Sequence, residues 1–138
     1  MTALFADTFY WIALADVADS AHQRALTLTA ERATSHIVTT DEVLTESLTF
    51  FATAPEQFRR EVAESVERIL ASSVIRIIPQ SRGSFLAGLH LYRSRPDKGY
   101  SLVDCISMQL TPGVVTPSRK GGDSDEQSAV TISSKHPT

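Results

Sequence analysis

Short apolar runs that each give way to a helical pattern are what most constrain this chain. "TALFAD", "HIVTT" and "VIRII" are brief, rich in β-branched or bulky residues, and closed by an acid, a hydroxyl residue or Pro79. Each reads as a buried strand. Between them lie longer stretches with helical spacing: "TFYWIALA", then "SAHQRALTLTAERA" behind a cap at Asp19. Leu44, Leu48 and Phe51 form a third stripe, and Phe58, Val62, Val66, Ile69 and Leu70 a fourth. "SFLAGLHLY" places Phe85, Leu89 and Tyr92 on one side, and Ser101 caps "LVDCISMQL". Strands alternating with helices dictate an α/β fold with a parallel sheet covered on both faces.

Helix starts carry their own signals. Thr39 and Glu42 have capping-box spacing, as do Thr53 and Glu56 around Pro55. From Thr111 the pattern breaks, and three of the six prolines and three of the six glycines crowd into the last segment. "GVVTP" and "AVTIS" have strand character but no evident helix to feed them. The expected organisation is a domain over residues 1–110 and a divergent, disordered or loosely packed tail over 111–138.

At 138 residues the chain fits one core, and its net charge of −3 argues against coating nucleic acid by bulk charge. Cys105 is the single cysteine, which excludes an intramolecular disulfide and fits a reducing cytoplasm. The N-terminus lacks a basic leader, and Asp7 and Asp16 interrupt its apolar run. Neither a signal peptide nor a membrane span is expected.

Three acids draw attention by position. Asp7 ends the first strand, Asp104 stands near the start of a late helix, and α-helical spacing leaves Glu42 and Glu46 both open for the third. Ligands of open parallel sheets bind outside the carboxyl ends of the strands. Carboxylates meeting there repel unless a cation neutralises them, and hard oxygen donors favour Mg²⁺ or Mn²⁺. Each acid also has a structural reading. Asp7 serves as a helix cap, Asp104 completes a capping box with Ser101, and a Glu on an exposed helix face needs no role.

"LFADTFYWIALAD", "IVTTDEVLTESLTFF" and "KGYSLVDCISM" together resemble successive motifs of PIN-domain ribonucleases, specifically VapC-like toxins of bacterial type II toxin–antitoxin modules. The resemblance runs from about Thr2 to Met108. It implies a PIN-like sheet, and it maps the metal-holding acids to Asp7, Glu46 and Asp104, with Glu42 left as a capping acid. It implies Mg²⁺-dependent hydrolysis of RNA, with Mn²⁺ a substitute, a homodimer, and a cognate antitoxin that blocks the site. Arg82, Arg93, Arg95 and Lys98 are candidate contacts to the RNA backbone, with ordinary surface charge as the plain reading. Phe50, Phe51 and Phe58 are candidates for the antitoxin surface, and core packing explains them equally. His22 is read as structural.

After Met108 the resemblance stops, and the family's further acid and last strand or strands have no recognisable counterpart. Asp123, Asp125 and Glu126 supply charge there without apolar anchors. Such a break is what a change of reading frame leaves. The alternative to an active nuclease is therefore a degenerate PIN remnant that binds antitoxin without cutting.

Overall fold

The structure is a computed structural model that describes residues 3–31, 36–111, 114–117 and 129–132. In chain order the elements are β1 (Leu4–Phe5), α1 (Thr8–Ala15), α2 (His22–Glu31), β2 (Ile37–Thr40), α3 (Asp41–Phe50) and α4 (Glu56–Ala71). Then come β3 (Ile75–Ile78), α5 (Arg82–Ser94), α6 (Leu102–Leu110), β4 (Val114–Pro117) and β5 (Ala129–Ile132). The strands form one sheet in the order β3-β2-β1-β4-β5. β1 pairs in parallel with β2 and β4, β2 in parallel with β3, and β5 runs antiparallel to β4. The α/β class, with a mainly parallel sheet among helices, is as the alternation requires.

The sheet does not end where the apolar periodicity does. "GVVTP" and "AVTIS" both contribute strands, and α6 leads directly to β4, whose Val115 registers with Leu4. Apolar periodicity reports side-chain burial, whereas β4 joins the edge of β1, and β5 the edge of β4, by backbone pairing. Most of the segment expected as a loose tail, including Asp123, Asp125 and Glu126, lies outside the described residues.

Alternation along β1 divides the core between the two faces of the sheet. Leu4 and Ala6 join Tyr10, Ala13, Ala25 and Leu28 beneath α1 and α2. Phe5, on the other face, joins Val38 and Val43, with Ala3, Trp11, Ile78 and Val103 packed around them. A satellite of Ile12, Phe51 and Val62 fastens α4 to α1 and α3.

Several local expectations shift. Thr40, not Thr39, caps α3, its side chain accepting from the Val43 amide at 3.1 Å. The Thr39 hydroxyl is used between strands, donating to the Ala6 carbonyl at 2.9 Å and accepting from Trp11 Nε1 at 3.1 Å. Pro55 occupies the cap position of α4 without a side-chain cap, so Thr53 plays no such part. Of the α4 stripe only Val62 is fully buried, and Leu70 is 58% exposed. That follows from β3 being an edge strand, which gives α4 less to cover.

On α5 the expected apolar side faces outward. Phe85, Leu89 and Tyr92 are exposed, while Ser84, Gly88 and Leu91 are buried. Small residues let α5 lie close to α6: a Cβ on Gly88 would stand 2.3 Å from Ile106 Cγ1 and 3.0 Å from its backbone Cα and N. The histidine expected to be structural is so, His22 Nδ1 donating to the Ala13 carbonyl at 2.6 Å. Among the described residues no helix is long and apolar enough to cross a membrane.

Candidate functional site

β1 lies inside the sheet, with β2 and β3 on one side and β4 and β5 on the other. The chain therefore leaves β1 at the point where strand order reverses, where open α/β sheets leave a crevice at the carboxyl ends. Asp7 is the second residue beyond β1 and stands in that position. Its backbone is extended, and its Oδ1 accepts from the Tyr10 amide at 2.9 Å, so it is the N-cap of α1.

Glu46 arrives from the next strand. β2 passes straight into α3, so the first turns of α3 stay at the carboxyl edge, and Glu46 is in the second turn. α6 runs back toward the start of β4, which is parallel to β1, so its N-terminus returns to the same edge. Asp104 is in that first turn. Ser101 Oγ accepts from the Asp104 amide at 3.0 Å, and Asp104 Oδ2 accepts from the Ser101 amide at 3.0 Å. This is a complete capping box.

One apolar cluster holds the three segments together. Phe5 is two residues before Asp7, Val43 three before Glu46, and Val103 adjacent to Asp104, and all three pack with Val38. The electrostatics register the convergence. Burial is the main force that raises the Asp7 carboxyl from 3.8 to about 6, the Tyr10 amide opposes it, and the charges of Asp104 and Glu46 each push it further up.

Glu46 is thus the α3 acid felt at Asp7. Glu42 instead turns Oε1 into the protein, where it has no hydrogen-bond partner among the described groups. Asp41, beside it, accepts from the Gln80 amide at 2.9 Å and ties the start of α3 to the segment leading into α5.

The donor chemistry suits a hard divalent cation: three carboxylates, one of them disfavoured in its charged form by burial and by its neighbours. The side-chain conformations do not complete the cage. No group of three or more His, Cys, Asp or Glu among the described residues is placed to hold a metal ion. One oxygen of each capping acid is engaged locally, Asp104 Oδ2 with the Ser101 amide and Asp7 Oδ1 with the Tyr10 amide. Both capping roles read from the sequence are realised, alongside the electrostatic coupling.

The four basic candidates do not form one patch. Arg82 opens α5 and lies over the Phe85 ring, 5.6 Å from its centroid. Arg93 is in the last turn, ~16 Å away along the axis at ~1.5 Å per residue. Arg95 ends the helix and is paired with Asp97, Nε to Oδ1 at 3.2 Å. That hydrogen bond lowers the Asp97 carboxyl. Arg93, Arg95 and Lys98 therefore belong to the turn that leads into α6 and Asp104, and Arg82 does not. Of the three phenylalanines, Phe51 is buried, Phe58 is half-buried and Phe50 is exposed.

A second feature beside Asp7 had no sequence signature. A cavity of about 210 Å³ opens between α1 and α2, with Asp7 in its wall and Phe9 and Arg24 among its lining. Only the packing of α2 against α1 brings Arg24 to that place.

Neither a protein-family model nor a curated protein matches the chain. Among solved structures, it is similar to the crystal structure of VapC20 from Mycobacterium tuberculosis, described as a sarcin-ricin loop cleaving toxin. The two are 23% identical with a TM-score of 0.68, over 78% of this chain and 79% of that one. The fold of this protein is that of a VapC-like PIN domain.

Proposed function

We propose that this protein is an endoribonuclease toxin that hydrolyses RNA phosphodiester bonds with the aid of a divalent cation, Mg²⁺ or Mn²⁺, held by Asp7, Glu46 and Asp104. The observation that carries the reading is the meeting of three acids from three distant segments at the reversal point of a VapC-like sheet. There the charges of Asp104 and Glu46 act on the buried Asp7. When bound, such a cation supplies an activated water and neutralises charge on the phosphate.

The chain's own part is to position and to tune. Burial keeps Asp7 partly protonated near pH 6, so the site prefers to acquire positive charge as it ionises. Asp104 is exposed, and turning out of its capping box would release Oδ2 from the Ser101 amide for a cation. Arg93 and Lys98, near the entry to α6, contact the RNA backbone. The assembly that fits this reading is a homodimer inhibited by a cognate antitoxin.

A second reading is supported by the same side chains. Because Asp104 is committed to its own helix and no described trio holds a metal, a PIN remnant that binds antitoxin without cutting is the alternative. Incubating folded, antitoxin-free protein with structured RNA in Mg²⁺, Mn²⁺ or EDTA separates them. The nuclease reading expects chelator-sensitive cleavage that Asp7→Asn, Glu46→Gln and Asp104→Asn each abolish. No cleavage in either metal leaves the remnant.

A further inference from the structure

Two threonines close β2, and both are fully buried, at 0% exposure. Thr40 has a local task, since its side chain caps α3. Thr39 has none. Its hydroxyl donates to the Ala6 carbonyl at 2.9 Å and accepts from Trp11 Nε1 at 3.1 Å, partners that lie 33 and 28 residues away along the chain.

The place of these bonds gives them meaning. At the end of β1 the Ala6 amide donates to the Val38 carbonyl at 2.8 Å, and the chain then leaves the sheet for α1. Ala6 is itself buried, so its carbonyl needs a partner there. The Thr39 side chain supplies it. A hydroxyl offers one proton and two lone pairs. Here the proton goes to Ala6 and a lone pair receives the indole, which holds the hydroxyl in one orientation. Valine has the same shape and can do neither.

Asp7 sits between the two contacts. Ala6 precedes it directly, and the Trp11 amide donates to its carbonyl across the first turn of α1. Glu46 depends on the neighbouring residue, because Thr40 starts α3 and Glu46 is in its second turn. The supports of both acids therefore meet in one buried dipeptide. Mg²⁺ demands near-ideal octahedral geometry, so small errors in the spacing of its carboxylates are felt.

We propose that Thr39 is a positioning residue of the acidic site: its hydroxyl ties the ends of β1 and β2 to α1 and so sets the spacing of Asp7 and Glu46 for a divalent cation. The inference rests on the ribonuclease reading and adds to it a buried, uncharged residue that acts through the two acids.

Calorimetric titration of the full, antitoxin-free chain with Mg²⁺ and with Ca²⁺, in the absence of RNA, tests it. Wild type is compared with Thr39→Val, Thr39→Ser and Val62→Ala. Thr39→Val is expected to weaken Mg²⁺ binding by about tenfold to a hundredfold, the usual effect of removing a group that orients metal ligands. Ca²⁺ accepts looser geometry and loses less. Thr39→Ser keeps the hydroxyl and restores the wild-type affinity. Val62→Ala destabilises the protein through the satellite cluster and leaves both affinities as in wild type. Circular dichroism shows that each variant is folded at the titration temperature. Where Thr39→Val does not fold, Trp11→Phe takes its place: it removes only the indole bond to the same hydroxyl and gives a smaller loss, again greater for Mg²⁺ than for Ca²⁺.

If wild type binds Mg²⁺ and the Thr39→Val protein, or Trp11→Phe in its place, binds it equally well, the positioning role is overturned and the ribonuclease reading stands. Equal losses for the two ions, or a loss as large in Val62→Ala, also overturn it, since the effect is then one of stability. If wild type binds neither ion, both fall together.

Discussion

Replacing Asp7 by Asn ought to stabilise the protein, and the reason can be worked from one group. The Asp7 carboxyl is raised from 3.8 to about 6, chiefly by burial and further by Asp104 and Glu46. A raised acid means that the folded state binds the proton more tightly than the unfolded chain. Stability from this group is therefore complete below pH 3.8 and is lost as pH rises through about 6. At ~1.4 kcal/mol per pH unit, the interval amounts to about 3 kcal/mol as an upper bound. Water at this partly exposed side chain reduces it, so about 1–3 kcal/mol is expected. Asn avoids the charge and keeps the cap, because its side-chain oxygen still accepts from the Tyr10 amide.

Urea unfolding of wild type and Asp7→Asn, followed by Trp11 fluorescence from about pH 4 to about pH 8, measures the difference directly. The variant should be more stable at neutral pH, with the gap closing toward pH 4. Saturating Mg²⁺ should close the gap or reverse the order. At a hundredfold excess over its Kd, a cation bound only to folded wild type adds about 2.7 kcal/mol, and Asp7→Asn gains little. Asp104→Asn supplies an internal control, since it removes the larger of the two carboxylate charges acting on Asp7 and should lower the Asp7 pKa in a carboxyl NMR titration. A gap that does not change with pH, or an Asn variant less stable at neutral pH, would refute the electrostatic reasoning.

Gly88→Ala forces a methyl group to 2.3 Å from Ile106 Cγ1, so α5 and α6 must separate. A loss of about 1–3 kcal/mol is expected in urea unfolding, together with a lower Asp7 pKa as Asp104 moves off. Cys105 is buried, and burial pushes its thiol up; it should react with a thiol-labelling reagent only as the protein unfolds. Rapid stoichiometric labelling in native buffer would contradict that placement. Trp11→Phe deletes the donor to Thr39 Oγ1 and should cost about 1 kcal/mol by circular dichroism in urea, because Thr39 keeps its bond to the Ala6 carbonyl.

The sequence determined the elements, and it did so where side-chain burial follows backbone period. β-branched runs at Ile37–Thr40 and Ile75–Ile78 became strands, and Ser101 with Asp104 closed a cap visible in their spacing of three. The grouping of Asp7 with Glu46 and Asp104 was suggested only by motif resemblance, since Asp7 and Asp104 each satisfy a purely local capping role. Tertiary structure decided what no local pattern encodes. The side of α5 that meets α6 is chosen by the absence of a Cβ at Gly88, which outweighs the larger Phe85, Leu89 and Tyr92. The strands past Thr111 are set by backbone pairing, β4 to β1 and β5 to β4, which apolar periodicity does not report. The coupling of Asp7 to Asp104 and Glu46 exists because Phe5, Val43 and Val103 share one cluster, and Coulomb forces depend on distance in space, not along the chain.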